Sequence, residues 1–316
     1  MLGTLAVYLW IVGRQLHHAY AAATACHPAS SIACGELISS FNGIDKVLAN
    51  GTALQPVPAL IGAFVGAPVL ASELETGTFR YAWTQGFGRW RWTLAKLVAL
   101  AVVVAAAAGA LSVLLSWYYQ PYLAAGNQTL PLSEVSPFSE ASPFAATLFD
   151  LRGVAFAAWT LVAFAIGGLA GMLIRRVVPA IVATLVVYAG LALAVGMFLR
   201  QHYLTPLVTS KLSVPASAWI TSKWGTKGGN VAFTGRPPIN LLYQLCPPSA
   251  LGLGNRSKPS PGTLAQCLTQ HGYTLWTSYQ PASRFWPFQW IEGGWLLALS
   301  LLLIAATVWL VRRRAT

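Results

Sequence analysis

The chain has 316 residues, of which 56% are hydrophobic and only 9% are charged. Soluble domains carry about 25% charged residues, so this chain has too few charges to cover a surface that faces water. Lys and Arg number 20 against 8 Asp and Glu, which gives a formal net charge of +12. The charges are thinly scattered between long apolar runs. The composition excludes an ordinary cytosolic enzyme, a disordered tail and a nucleic-acid-binding domain, and it indicates an integral membrane protein whose charges mark its topology.

Six apolar segments predict membrane-spanning helices, because about 20 apolar residues are needed to cross ~30 Å of hydrocarbon. In chain order they cover approximately residues 1–13, 56–71, 92–119, 154–174, 177–199 and 290–311. The first is short and covers only ~20 Å. We interpret it as the second half of a span, which makes Met1 a late start. A short tilted span and a cleaved signal peptide are the alternatives, although no basic stretch precedes the apolar run.

This count predicts an all-α integral membrane protein, a six-helix transmembrane bundle. With six spans, the link at residues 72–91, the turn at 175–176 and the tail at 312–314 fall on one side, and all three are basic. The positive-inside rule assigns that side to the cytoplasm. We therefore expect a multi-pass protein of the plasma membrane whose long loops are extracellular.

The largest of these loops covers residues 200–288 and contains Lys and Arg but no Asp or Glu. Long loops are largely exempt from the positive-inside rule, so this charge does not contradict the orientation. Its Trp and Tyr residues favour elements that rest on the membrane surface. We interpret it either as a basic vestibule for anionic substrates or lipid head groups, or as a solubilising cap.

All four cysteines fall on the predicted outer side. Cys26 and Cys34 share the first outer link, and Cys246 and Cys267 share the last. Two pairs confined to one face favour the disulfides Cys26–Cys34 and Cys246–Cys267 in an oxidising compartment. Four free thiols are an alternative. Zinc ligation by the first pair with His27 is another, but its spacing matches no familiar site.

Within the spans, small residues one helical turn apart predict close helix packing. These residues are Gly62, Gly66, Gly167 and Gly171. Such patterns are common in membrane helices, so they indicate a packed bundle without indicating a particular partner.

The sequence contains neither an energy source nor an active site. It has no P-loop, no HExxH motif and no serine or cysteine nucleophile motif, so we predict no catalytic residue and no metal site. Glu292 lies near the outer end of the last span and Asp150 precedes the fourth. Because ion-coupled carriers keep ionisable groups within the bilayer, this pattern disfavours a secondary carrier.

Residues 66–97, GAPVLASELETGTFRYAWTQGFGRWRWTLAKL, predict a short cytoplasmic helix between the second and third spans. The second span ends at Glu73 and Glu75. Gly77 and Thr78 then form a turn whose hydroxyl can cap a new helix, FRYAWTQ. Two glycines end that helix. The element is either an amphipathic loop lying on lipid or a docking element for another protein.

The same segment resembles a known family. ELETGTFRYAWTQGFGRWRWTLAKL is similar to the acidic–GT–R–TQ–R–K signature of the permease subunits of ABC-2 type exporters, where it forms the coupling helix. Two further stretches, LFDLRGVAFAAWTLVAFAIGGLAGMLIRRVVPAIVATL and the tail YQPASRFWPFQWIEGGWLLALSLLLIAATVWLVRRR, resemble the same subfamily. The resemblance assigns coupling to the ATPase to the following residues: Glu73, Glu75, Gly77, Thr78, Arg80, Thr84, Gln85 and Arg89.

The resemblance implies a single ABC-2 type transmembrane domain over residues 1–316, with six helices. It also implies a second permease subunit, identical or related, and two cytoplasmic ATPase subunits. Those subunits bind ATP and Mg, whereas this chain is non-catalytic and holds no cofactor. Membrane lipids are the other expected partner, and nucleic acid is not one.

The expected function is export of a small amphiphilic molecule, drug, peptide or lipid by alternating access. A membrane sensor or assembly subunit that binds an extracellular ligand through the basic outer loop is the alternative.

Overall fold

The computed structural model describes residues 2–27, 32–44, 51–77, 89–127, 143–144, 146–211, 214, 217–246 and 261–313. The chain divides into two compact units. The first comprises residues 1–141, 145–203 and 286–316, and the second comprises residues 142–144 and 204–285. In chain order the described helices are α1 (Leu2–Ala25), α2 (Ile32–Gly43), α3 (Thr52–Thr76), α4 (Arg89–Asn127), α5 (Ala146–Phe149), α6 (Gly153–Ile174), α7 (Val177–His202), α8 (Ile239–Leu245), α9 (Pro261–Gln270) and α10 (Phe285–Arg313).

Five of the described helices are long and apolar enough to cross a membrane: α3, α4, α6, α7 and α10. They contain five of the six predicted spans and extend beyond them. The helix α1 is not among the five, although its 24 residues run well past the predicted span at 1–13 and through Arg14. A sixth span at the start of the chain stays a prediction.

Two of the spanning helices contain a π-helical turn. In α3 the turn covers Gly62–Gly66, and in α7 it covers Val195–Leu199. A π turn widens the helix locally and displaces the residues next to it, and such turns are frequent at functional sites.

The helix α6 lies at the centre of the first unit, with 67% of its most apolar stretch buried. Its contact with α3 is made through glycines. A Cβ atom on Gly62 would lie 2.5 Å from the carbonyl oxygen of Ala163, and one on Gly167 would lie 2.4 Å from the carbonyl oxygen of Gly62. Gly66 and Gly171 are equally close to backbone carbonyl oxygens of the facing helix. The two backbones therefore touch without side chains between them.

Outside this contact, α1 and α2 pack against α4 in a separate apolar cluster that includes Leu16, Phe41 and Tyr118. His17 stacks on Trp117 with ring centroids 4.6 Å apart. A disulfide between Cys26 and Cys34 joins the end of α1 to α2.

The second unit contains a four-stranded antiparallel sheet in the region predicted as an extracellular loop. Its strands are β1 (Leu207–Thr209), β2 (Trp219–Lys227), β3 (Asn230–Thr234) and β4 (Tyr273–Gln280), in the order β1-β4-β2-β3. Gly228 and Gly229 connect β2 to β3 with φ angles of 60° and 86°. Positive φ at both central residues is what a tight two-residue hairpin requires, and glycine adopts it without strain.

One face of this sheet is covered by α9, where Leu268 packs against Phe233 and Tyr273. The Cys246–Cys267 disulfide joins the residue after α8 to α9 and closes a segment of 21 residues. The sheet therefore has a small apolar core of its own.

Gly167→Ala tests the contact between α3 and α6. The added methyl group would overlap the carbonyl oxygen of Gly62, so we expect a loss of about 1–3 kcal/mol in the free energy of unfolding. The control is Gly109→Ala on α4, where a Cβ meets nothing within 4 Å, and it should be neutral or slightly stabilising. Thermal unfolding in detergent measures both variants. Equal unfolding temperatures for the two would show that the close contact is not required.

Candidate functional site

At its carboxyl end, α3 is tied to α4 by an ion pair. The carboxylate of Glu73 accepts a hydrogen bond from the Lys96 ammonium group, which also donates to the Val69 carbonyl at 3.0 Å. Both side chains are only partly exposed, at 23% for Glu73 and 30% for Lys96. Partial burial weakens the competition from water and strengthens the pair.

The same end of α3 is also tied to the start of α7. The Oε2 atom of Glu75 accepts a hydrogen bond from the backbone N–H of Val177 at 2.9 Å. This N–H belongs to the first turn of α7, where backbone donors have no partner within the helix and the helix dipole favours negative charge. Glu75 therefore caps α7 from a neighbouring helix.

Of the eight residues assigned to ATPase coupling, the structure describes four, and they lie at this end of the bundle. Glu73 and Glu75 make the contacts above, and Gly77 ends α3 with a φ of 73°. Arg89 is the first residue of α4. The other four, Thr78, Arg80, Thr84 and Gln85, lie outside the described residues, so the coupling role of the set stays a prediction.

A buried cluster of charges lies at the opposite end of α7, formed by Arg200, Glu292 and Asp150. Arg200 donates to Glu292 through Nε at 3.0 Å and through Nη2 at 2.8 Å, and it also donates to Asp150. The side chain of Arg200 is 4% exposed and that of Glu292 is fully buried. Paired hydrogen bonds from guanidinium to carboxylate are the geometry that compensates best for lost hydration.

Neighbouring side chains complete the cluster. Trp159 donates its indole N–H to Glu292 at 2.9 Å, and the Arg200 guanidinium lies 4.3 Å from the centre of the Phe149 ring. Gln289 accepts from the Ala155 N–H at 2.8 Å and donates to the Phe149 carbonyl at 2.9 Å. The start of α6 and the preceding turn are therefore held against α10, which fixes the position of Asp150.

Asp150 differs from Glu292 because it is not fully enclosed. Its side chain keeps 32% exposure and lines a cavity. Burial raises the pKa of Asp150 to about 7; the Arg200 guanidinium opposes this shift and the Glu292 carboxylate adds to it. Asp150 therefore takes up a proton close to neutral pH.

The cavity has a volume of about 730 Å³, within the ~300–1,000 Å³ range of small-molecule sites. It lies between the beginning of α3, the beginning of α6 and the second half of α7. Among the described residues that line it, Asp150 and Arg200 are the charged ones. Most of the remainder are apolar: Pro56, Pro58, Ala59, Leu151, Trp159, Leu185, Ala189, Ala192, Leu193, Gly196 and Met197.

A family model described as ABC-2 membrane transporter related matches residues 1–200. The chain belongs to this family. No curated protein and no solved structure matches the chain. Membership identifies the chain as a non-catalytic, multi-pass permease subunit and implies an ATPase subunit as its partner. The matched residues include both the Glu73–Glu75 contacts and the cavity.

Sequence reasoning did not identify the charged cluster in this ABC-2 permease. The sequence places Asp150 before the fourth predicted span, Arg200 at the start of the loop at residues 200–288 and Glu292 near the outer end of the last span, and it does not connect the three. The available signal was that the three residues were predicted on the same side of the membrane, with opposite charges at similar depth. Residues of opposite charge in apolar surroundings are expected to form ion pairs, because an unpaired charge there has a high free-energy cost.

Asp150→Asn tests the raised pKa. The folded protein binds the Asp150 proton more tightly than the unfolded chain, whose carboxyl group has its ordinary pKa of 3.8. The resulting stabilisation is complete below that value and is lost as the pH rises through about 7. We expect the unfolding temperature in detergent to fall more steeply in the wild type than in the variant between about pH 4 and pH 7, the window set by the two pKa values. Glu36→Gln, at an exposed position on α2, is the control. Identical slopes in wild type and Asp150→Asn would contradict the assignment.

Proposed function

We propose that the chain is the membrane-spanning permease subunit of an ATP-binding cassette exporter. It moves a small amphiphilic molecule, drug, peptide or lipid out of the cell by alternating access. Two cytoplasmic ATPase subunits bind ATP and Mg and supply the energy, and a second permease subunit, identical or related, completes the path. The protein lies in the plasma membrane with its basic short links in the cytoplasm and its long loops outside.

The observation that carries this proposal is the pair of contacts at the end of α3. Glu73 binds Lys96 on α4, and Glu75 binds the first turn of α7. The segment that resembles the coupling helix, residues 73–97, begins at these contacts. A displacement of that segment by an ATPase subunit therefore acts on three spanning helices at once, because their ends are joined by these contacts.

Two of these helices also line the cavity at the other end of the bundle. The beginning of α3 contributes Pro58 and Ala59, and the second half of α7 contributes Gly196 and Met197. Each helix has its π turn close to these residues. We infer that movement of α3 and α7 at the cytoplasmic end changes the shape of the cavity, which is the step that alternating access requires.

The remaining surface of α7 supports the second permease subunit and the lipid contacts in the proposal. Only 11% of its most apolar stretch is buried within the chain. Val178, Val182 and Val186 are all more than half exposed. Such a surface is stable only against lipid or against another apolar protein surface.

Arg80→Ala combined with Gln85→Ala tests the coupling role. We expect the complex purified with its ATPase partner to hydrolyse ATP severalfold more slowly, because both side chains are assigned to the docking surface. The matched control is Glu36→Ala on α2, at an exposed position far from α3 in sequence. A purified complex that contains no nucleotide-binding subunit would show that the exporter proposal is wrong.

Glu75→Ala separates transmission from docking. Removing the carboxylate leaves the Val177 N–H without its acceptor, so α7 should follow α3 less closely. We expect the ATPase subunit to remain bound in a pull-down while ATP-driven transport falls severalfold. Ser72→Ala is the control, since the Ser72 hydroxyl bonds to Pro68 within α3 itself. Loss of the bound ATPase in Glu75→Ala alone would assign Glu75 to docking instead.

A further inference from the structure

The positive and negative charges of the cluster beside the cavity do not cancel. Arg200 contributes +1, and Glu292 and Asp150 contribute −1 each, so the ionised cluster carries a net charge of −1. Glu292 is fully buried behind Arg200 and has both carboxylate oxygens bonded to it, which neutralises that pair. The residual negative charge is therefore centred on Asp150, the acidic group that reaches the cavity.

The other walls of the cavity suit an apolar body with a delocalised positive charge. Trp159 and Tyr188 both line the cavity and contact each other edge to face, with ring centroids 5.5 Å apart and planes at 74°. Aromatic faces attract cations through the ring quadrupole, and the attraction increases where water is excluded. Aliphatic residues of α7, including Leu193 and Met197, supply apolar surface.

We propose that this cavity binds a hydrophobic organic cation, with the Asp150 carboxylate as its counter-ion. The inference names the substrate class of the exporter, and it rests on the proposed function for the step from binding to transport. It differs from the anionic class that the basic loop at residues 200–288 suggests. An anion in this cavity would face the Asp150 carboxylate, whose partner Arg200 is shared with Glu292 and is already occupied by two acceptors.

A proton competes with such a ligand for Asp150. Among the described residues, the ionisable groups that act on Asp150 are Arg200, Glu292 and Tyr188. Because the pKa of Asp150 is raised to about 7, the carboxylate is neutralised below that pH. Binding of the cation should therefore weaken as the pH falls below neutrality and strengthen above it.

The test uses two ions of nearly identical size and shape and opposite charge, tetraphenylphosphonium and tetraphenylborate. Their binding to the purified full chain in nanodiscs is measured by equilibrium dialysis, with empty nanodiscs to subtract partition into lipid. We expect tetraphenylphosphonium to bind about tenfold more tightly than tetraphenylborate, because the Asp150 carboxylate attracts the cation and repels the anion. Equal affinities would overturn the proposal.

Asp150→Asn removes the counter-ion with almost no change in shape. We expect it to lower the affinity for tetraphenylphosphonium about tenfold and to abolish the preference for the cation. Glu36→Gln, at an exposed acid outside the cavity, should change neither value. If Asp150→Asn keeps the wild-type preference, the counter-ion is not Asp150 and the proposal is wrong.

A second variant keeps the test decisive if Asp150→Asn does not fold. Ala192→Phe places an aromatic ring in the cavity without touching a charge and should weaken saturable binding of both ions. Undiminished binding in this variant would place the ion elsewhere. Displacement of tetraphenylphosphonium by phosphatidylcholine added to the detergent-solubilised chain would identify a lipid head group as the occupant instead of a free cation, and would also overturn the proposal.

These measurements need no ATPase subunit, so they fail independently of the exporter proposal. If the chain shows no preference for the cation but couples to its ATPase, the exporter proposal stands and the proposed substrate class is wrong. If the chain prefers the cation but binds no ATPase subunit, the cation site stands and the exporter proposal is wrong.

Discussion

The backbone contact between α3 and α6 is the constraint on which the other features of the membrane unit depend. Glycines on both helices allow carbonyl oxygens of one to lie where side chains of the other would stand, as Gly62 and Gly167 show. Apolar side chains give little preference between lipid and protein, so close van der Waals contact has to supply the specificity of packing. With α3 held in this position, its two ends are fixed as well. One presents Glu73 and Glu75 to the neighbouring helices, and the other forms a wall of the cavity.

The charged cluster of Arg200, Glu292 and Asp150 also depends on fixed positions of the helices around it. A buried guanidinium and carboxylate cost several kcal/mol in lost hydration, and their attraction compensates only when geometry is good and every polar atom is bonded. Gln289 and Trp159 fix the partners in that geometry from α10 and α6. The lost hydration of these charges therefore destabilises the protein at the edge of the cavity, where a pair of apolar residues would avoid that loss. This is the pattern expected of ionisable residues in membrane helices that bind or move a charged species.

The parts of this structure that depend on local composition were predictable from the sequence. Five apolar helices follow from run length, and the closeness of Gly62, Gly66, Gly167 and Gly171 to the facing helix agrees with their spacing of one turn. The sheet of the second unit was missed because β1 has only three residues and β4 lies 39 residues after β3 ends, so its pairing is non-local. The cluster of Asp150, Arg200 and Glu292 was missed for the same reason. Each residue is unremarkable in its own stretch of sequence, and only tertiary packing joins them.

The Glu73 and Glu75 contacts and the cavity lie at opposite ends of α3 and α7, so movement at one end can affect the other. A helix is stiff along its axis, so a displacement at Glu75 is carried to the residues near Pro58 and Gly196 with little loss unless the helix can deform on the way. The π turns at Gly62–Gly66 and Val195–Leu199 are the places in these helices where the regular hydrogen-bond pattern is already interrupted. In α3 this turn coincides with the glycine contact to α6, where the two backbones lie closest together. In the exporter proposed above, the contact with α6 is the pivot: displacement of the coupling segment moves the Glu75 end and the cavity end of α3 in opposite directions about it, and so changes the shape of the cavity.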